Sequence, residues 1–161
     1  MCKIKTLKEI KKISEKLKKE NKIIVFTNGC FDIIHPGHIK LLKKAKSFGD
    51  VLIVGLNKDS SIKKLKGKTR PIINEKDRAE VLSSLSMVDY VVLFGEKTPI
   101  KLIKNILPNY IVKGGDYKED EVVGKEIVEK YGGKVIIIPL YKNYSTTNLI
   151  KKVNEKNLQD N

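Results

Sequence analysis

The sequence predicts an α/β fold, a Rossmann-like open parallel sheet of about five strands with helices on both faces. Short apolar runs alternate with amphipathic helical patterns, which favours parallel strands joined by right-handed crossovers. One run, residues 51–56, is almost continuously apolar, as expected for a strand buried on both faces. The 161 residues fit one domain. We predict a single domain over 1–161, with an N-terminal helix at about 6–19 and a core at about 22–154.

The first helix is predicted from its cap and its apolar stripe. Thr6 and Glu9 match a capping box. The apolar positions recur every three or four residues, as one helical face requires: Leu7, Ile10, Ile13 and Leu17. The first strand follows at 22–27.

The later elements continue this alternation. Strands are predicted at 51–56, 89–94, 110–113 and 135–138, and helices at about 36–48, 59–65, 74–85, 99–107 and 124–131. In the helix that begins near Asn74, the residues expected to face inward are Ala79, Val81, Leu82 and Leu85. A short last helix is predicted from about 145, with a frayed polar end at 154–161.

Both histidines of the chain lie in one loop, between the first strand and a helix. His35 and His38 flank Pro36, which suits the first turn of a helix, and Gly37, which lets a ligand approach the backbone. A helix amino terminus presents N–H groups and a positive dipole end, so this loop predicts a phosphate site. Zinc is the weaker interpretation, because no third histidine exists and only Cys30 lies near.

Three more polar loops are predicted at the same edge of the sheet. Three consecutive hydroxyls begin the last helix and exceed what one cap needs: Ser145, Thr146 and Thr147. A basic loop offers cations that could span a triphosphate: Lys66, Lys68 and Arg70. Asp116 follows two glycines and could hold a base, a sugar or Mg²⁺, or be a turn residue.

Other nucleotide and catalytic motifs are absent from the sequence. The triplet at 67–69 is not a P-loop, because that motif requires Gly where Ile62 stands. No G-x-G-x-x-G fingerprint, carboxylate pair or Ser–His–Asp arrangement is apparent. Phosphoryl and nucleotidyl transfer depend mostly on positioning and charge neutralisation, so cationic donors suffice.

Composition limits the partners. The formal charge of +14 comes from scattered lysines, with Arg70 and Arg78 as the only arginines. Base readout favours arginine and stacking favours clustered aromatics, so we expect a solvated lysine-rich surface and no nucleic-acid partner. No apolar run is long enough to suggest a membrane partner. Cys2 and Cys30 form no disulfide framework, so a cytoplasmic location is expected.

The segment at 29–38, with its core His35-Pro36-Gly37-His38, resembles the signature of the HxGH nucleotidyltransferase superfamily, cytidylyltransferase-like branch. The resemblance covers about residues 22 to 154. Four further segments are similar to the adenylyltransferase part of heptose-phosphate kinase/adenylyltransferases and to stand-alone heptose 1-phosphate adenylyltransferases: 61–71, 77–82, 112–117 and 144–148.

This resemblance implies transfer of AMP from ATP to D-glycero-β-D-manno-heptose 1-phosphate, giving ADP-heptose and pyrophosphate with Mg²⁺ for lipopolysaccharide synthesis. The implied partners are therefore ATP and a sugar 1-phosphate. It also implies a homo-oligomer, commonly a dimer, with the helix of Arg78 near a subunit contact. The implied catalytic residues are His35, His38 and Lys66. The implied nucleotide- and phosphate-binding residues are Asn28, Gly29, Cys30, Phe31, Asp32, Gly37, Arg70, Lys113, Gly114, Asp116, Ser145, Thr146 and Thr147. No residue is assigned as a metal ligand.

Alternatives share the fold and the histidine motif. A glycerol-3-phosphate cytidylyltransferase-type enzyme using CTP comes second, and the segments at 113–117 and 144–148 favour the heptose branch over it. An archaeal-type FAD synthetase comes third. A nucleotide- or nucleic-acid-binding module without catalysis is the hypothesis from a different class. Base and acceptor choice rest on resemblance alone.

Overall fold

The computed structural model describes residues 2–115, 118–139 and 145–159. Asp116, Tyr117 and Tyr144, which belong to predicted binding segments, lie outside the described residues.

A parallel sheet of six strands forms the centre of the described chain. The strands are β1 (Ile4–Lys5), β2 (Ile24–Gly29), β3 (Val51–Asn57), β4 (Tyr90–Phe94), β5 (Tyr110–Gly114) and β6 (Lys134–Ile138). Their order is β1-β4-β3-β2-β5-β6, and every pairing is parallel. The predicted Rossmann-like α/β fold is confirmed.

The sheet has one strand more than the predicted five. β1 is only two residues long and pairs Ile4 with Val91 and Lys5 with Val92 at the edge of β4. A backbone hydrogen bond of 3.0 Å from the Val91 N–H to the Lys3 carbonyl extends this pairing. Two residues carry no periodic pattern, so the strand depends on pairing with a distant partner and the sequence did not predict it.

Seven helices cover the sheet in the described ranges. They are α1 (Leu7–Lys19), α2 (Pro36–Lys46), α3 (Asp59–Lys66), α4 (Glu75–Ser84), α5 (Ile100–Ile106), α6 (Lys125–Lys130) and α7 (Thr146–Gln159), with a 3₁₀ turn at Glu119–Glu121. The predicted capping box is present, because Glu9 accepts from the Thr6 N–H at 2.8 Å and Thr6 Oγ1 from the Glu9 N–H at 3.3 Å. α7 is longer than predicted, and 154–159 are helical rather than frayed. None of these helices is both long and apolar enough to cross a membrane.

The two faces of the sheet build two apolar cores. Ile24 and Phe26 of β2 point to the face that contains the buried residues of α1, α5 and α6. Val25, between them in sequence, points to the face that contains the buried residues of α2 and α4. On α4 the expected inward position of Val81 is wrong, since its side chain is 44% exposed. The residue that takes its place on the buried face is Arg78.

Arg78 is 1% exposed and its guanidinium links four segments at the carboxyl edge of the sheet. Nε donates to the Ile73 carbonyl at 2.9 Å, and Nη1 donates to the Cys30 carbonyl. Nη2 donates to the Asn57 carbonyl at 2.9 Å and to the Asp59 carboxylate at 2.7 Å. The side chain is therefore enclosed within the chain and cannot itself contact a second subunit.

We expect Arg78→Met to destabilise the chain by about 3–5 kcal/mol, because it leaves the Asp59 carboxylate and three carbonyls without their donor. Urea denaturation measures the change in the free energy of unfolding. Lys76→Met, at an exposed position of the same helix, is the control and should shift stability by less than about 0.5 kcal/mol. An unchanged denaturation midpoint for Arg78→Met would contradict this role.

Candidate active site

A cavity of about 830 Å³ lies at the carboxyl edge of the sheet, beside β2, β5 and β6. The strand order reverses between β2 and β5, and open α/β sheets bind ligands at such switch points. The predicted site residues on its wall are Asn28, Gly29, Cys30, Phe31, His35, Gly37, His38, Lys66, Lys113, Gly114, Ser145, Thr146 and Thr147. The structure thus brings most of the predicted site together.

The two histidine rings stack at the amino terminus of α2. Their centroids are 3.7 Å apart with an interplanar angle of 22°, and Phe31 packs against His38 with centroids 5.1 Å apart. His35 is the N-cap residue of α2, and Pro36 occupies its first turn, as the sequence predicted. No side chain caps this helix end. The arrangement places two imidazoles beside helix N–H groups that suit an anion.

The surroundings of both imidazoles disfavour their charged form. Burial, the charge of His35 and the charge of Lys66 lower the pKa of His38 to about 4. Burial also lowers the pKa of His35. Each neutral ring keeps one N–H donor, and an approaching polyanion favours protonation of both.

Lys66 is the last residue of α3 and lies on the cavity wall, close enough to His38 for its charge to affect that side chain. Its partner in the predicted basic loop, Lys68, is exposed and does not line the cavity. Of the two lysines, Lys66 is therefore the one placed to meet a phosphate.

Asp32 and Arg70 were predicted to bind the nucleotide, but the structure places both off the cavity wall. Arg70 Nε donates to Asp32 at 2.7 Å, and the backbone N–H groups of Ile72 and Ile73 donate to the same carboxylate, each at 2.9 Å. Burial would raise the pKa of Asp32, but these donors together hold it below its usual range. The pair anchors the basic loop to the histidine loop.

Lys113 is the basic group on the opposite side of the switch point. It lies near the carboxyl end of β5, and its Nζ donates to Asn28 Oδ1 on the neighbouring strand β2. Burial lowers the pKa of Lys113 to about 8, and the nearby Cys30 acts in the opposite direction. No sequence pattern predicts that Lys113 and Asn28 interact, because 85 positions separate them.

The start of α7 closes another side of the cavity. Ser145 Oγ accepts from the Asn148 N–H at 3.1 Å, so this residue caps the helix, as the simpler alternative required. Thr146 and Thr147 also line the cavity. Their position keeps them as candidates for phosphate contacts.

Some residues of the cavity wall were not predicted from the sequence. Lys40, Lys43, Lys44 and Ser47 line the cavity from one face of α2. Their spacing of three and four residues is helical, and applying it to the predicted helix would have found them. The apolar part of the wall includes Leu41. Its side chain packs closely on Gly114, since a Cβ at that glycine would lie 3.1 Å from Leu41 Cδ1.

Comparison with known proteins identifies the chain's relatives. Residues 26–152 match the model of a family described as Cytidylyltransferase-like. Bifunctional protein HldE of Geobacter metallireducens is 52% identical over 152 residues, which cover 94% of this chain and 31% of that protein. Bifunctional protein HldE of Aliarcobacter butzleri is 55% identical with the same coverage. The chain thus spans about a third of the length of these relatives.

Two solved structures share the fold. The lipopolysaccharide core biosynthesis protein from Thermoplasma volcanium is 36% identical with a TM-score of 0.62, and the match covers 77% of this chain and 99% of that one. Pantoate-beta-alanine ligase from Francisella tularensis is 23% identical with a TM-score of 0.65, and the match covers 96% of this chain and 77% of that one. The second match shows the fold alone.

The depressed pKa of His38 predicts a pH-dependent stability. A histidine in the unfolded chain has a pKa of about 6.5, whereas the pKa of His38 in the folded chain is about 4. Between these values the unfolded chain binds a proton that the folded chain does not, so stability falls as the pH falls. In His38→Asn this loss should be smaller than in the wild type, by about 1 kcal/mol between pH 7 and pH 5, since solvent access reduces the effect.

Urea denaturation of both proteins at the two pH values measures the difference. Carboxylates elsewhere titrate alike in both proteins. The difference between the two losses of stability therefore isolates the contribution of His38. Equal losses in the two proteins would show that His38 is not held neutral by the fold.

Proposed function

We propose that this chain, which belongs to the cytidylyltransferase-like family of nucleotidyltransferases, transfers AMP from ATP to D-glycero-β-D-manno-heptose 1-phosphate. The products would be ADP-heptose and pyrophosphate. The observation that carries the proposal is the stacked pair His35 and His38 at a helix terminus without a side-chain cap, with Lys66 beside them on the same cavity wall. The likeness to the lipopolysaccharide core biosynthesis protein from Thermoplasma volcanium supports the choice of acceptor.

The reaction is a displacement at the α-phosphorus of ATP. A phosphate oxygen of the acceptor attacks, the bond to the bridging oxygen breaks, and pyrophosphate leaves with that electron pair. The second pKa of a sugar phosphate is about 6, so its oxygen is anionic at neutral pH and needs no general base. The work left for the protein is to align the two anions and stabilise the charge that develops on pyrophosphate.

His35, His38 and Lys66 are the residues proposed for the leaving group. The imidazole N–H groups and the amino terminus of α2 donate to the phosphate oxygens, and the Lys66 ammonium adds a point charge. Neutral imidazoles next to a polyanion gain protons, which strengthens these hydrogen bonds as charge accumulates.

We propose that Mg²⁺ enters with the nucleotide. The described part of the cavity wall carries no carboxylate, and no cluster of three possible ligands occurs among the described residues. These residues therefore do not form a protein cage for the ion. Mg²⁺ is commonly held by substrate phosphates and water, and its chemistry here is to neutralise triphosphate charge.

From the same resemblance we propose that the chain functions as a dimer in the cytoplasm. Arg78 is not available for a subunit contact, but α4 exposes Val81 on its outer face. Light scattering of the purified chain measures its mass directly.

The first activity prediction concerns the histidines. His35→Ala and His38→Ala should each lower kcat by about 10²–10³-fold, the scale for losing one preorganised donor to a transition state. Thermal stability at pH 7.5 should change little, because both rings are neutral and no buried charge loses a partner. Pyrophosphate release measures turnover, and near-normal rates in both variants would remove the basis of the proposal.

The second activity prediction concerns the substrates. Adenine and cytosine differ in the positions of their hydrogen-bonding groups, and a site built for one can reject the other by about 10⁴-fold. A screen of ATP and CTP against heptose 1-phosphate and glycerol 3-phosphate should give pyrophosphate release chiefly from ATP with heptose 1-phosphate, and only with Mg²⁺ present. A clear preference for CTP would instead support the cytidylyltransferase-type alternative.

A further inference from the structure

Besides Lys40, Lys43 and Lys44 of α2, the basic groups on the cavity wall fall into two sets. The His35 and His38 rings stack with centroids 3.7 Å apart, and Lys66 lies on the same wall, near enough for its charge to lower the pKa of His38. Lys113 has different neighbours, since its Nζ donates to Asn28 Oδ1 and Cys30 lies near it. The cavity thus presents one cationic set on α2 and α3 and a second one between the ends of β2 and β5.

During the proposed reaction the site must hold two anions besides the transferred AMP group. The acceptor phosphate approaches the α-phosphorus on one side, and pyrophosphate leaves on the other, roughly in line. One cationic set cannot serve both, because the anions lie on opposite sides of the reacting phosphorus. The histidine set suits the leaving group, since a helix amino terminus and two imidazoles give several donors to a diphosphate.

We propose that Lys113, positioned by Asn28, binds the phosphate of the acceptor. This inference deepens the proposed function and rests on it. The resemblance of its segment assigns Lys113 to the nucleotide. This inference assigns it instead to the acceptor, within the same cavity.

The chemistry of the pair fits that role. An ammonium has three N–H donors, and Asn28 accepts one of them, which fixes the direction of the amine. The Cys30 carbonyl is held by Arg78, so the loop beside the amine has a fixed course. A partly buried ammonium favours an anionic neighbour, and an acceptor without a phosphate would leave it unmatched. Lys113 would therefore select phosphate esters over neutral sugars.

The test is a comparison of Michaelis constants. Lys113→Met should raise the KM for heptose 1-phosphate by about 10–100-fold, the range for losing a hydrogen bond to a charged group. The KM for ATP should stay within about twofold of the wild type. Lys113→Arg should recover part of the loss. Lys134→Met, a lysine of the adjacent strand β6 at its opposite end, is the matched control and should leave both constants unchanged.

Asn28 is tested as a positioning residue. Asn28→Leu should raise the acceptor KM by about 3–10-fold while Lys113 remains in place, because the amine loses its orienting acceptor. In the double variant, Asn28→Leu should add little to the effect of Lys113→Met, because the amine that Asn28 orients is already absent. Additive losses would show that Asn28 acts independently of Lys113.

A pH series supplies a readout that a purely structural lysine would not give. Acceptor kcat/KM in the wild type should fall above about pH 8 as Lys113 loses its proton, and in Lys113→Arg it should stay level. The other titratable groups on this wall are Cys30 after β2, the histidines and lysines of α2, and Lys66. Lys113→Arg keeps Cys30 in place, so a level profile in that variant separates the amine from the thiol.

The outcomes distinguish this inference from the proposed function. If Lys113→Met raises the KM for ATP and not that for the acceptor, Lys113 binds the nucleotide and the inference is wrong, while the proposed function stands. If the wild-type chain transfers AMP only to acceptors without a phosphate, both fail. Binding of α,β-methylene-ATP by calorimetry should be the same in wild type and Lys113→Met, which confirms that the nucleotide site is intact.

Discussion

The buried guanidinium of Arg78 is the constraint on which the ligand edge depends. A charge at 1% exposure is costly, and here one carboxylate and three carbonyls offset that cost. These acceptors come from the loop after β2, the end of β3, the start of α3 and the loop before α4. The four segments cannot move apart without exposing an unpaired group, so the cavity has a stable frame before any ligand arrives.

Asp32 and Arg70 continue that frame toward the basic loop. Both have the polar chemistry expected of a ligand contact, yet they bind each other and the backbone. Both were predicted to contact the nucleotide, but they lie off the cavity wall, and nothing in the sequence tells an Asp–Arg pair that faces a substrate from one that holds a loop. Their effect on chemistry is indirect, because they fix where the segment that follows Lys66 runs.

Local signals explain how much of the structure the sequence predicted. Five strands, seven helices and the Thr6–Glu9 cap follow from periodicity and capping, which involve residues close in sequence. The histidine motif located the cavity because a strand, a tight loop and a helix start must meet at the sheet edge. β1, the inward turn of Arg78 and the Lys113–Asn28 contact escaped, since each depends on residues brought together only by folding.

The stacked histidines limit the positive charge that the cavity wall carries. Two imidazoles 3.7 Å apart repel each other when charged, and burial adds to that penalty, so the resting pocket contributes little positive charge from them. A neighbouring anion offsets both penalties, and a more highly charged anion offsets more of them. The protonation state of the two rings is therefore tied to the charge of the anion that lies beside them.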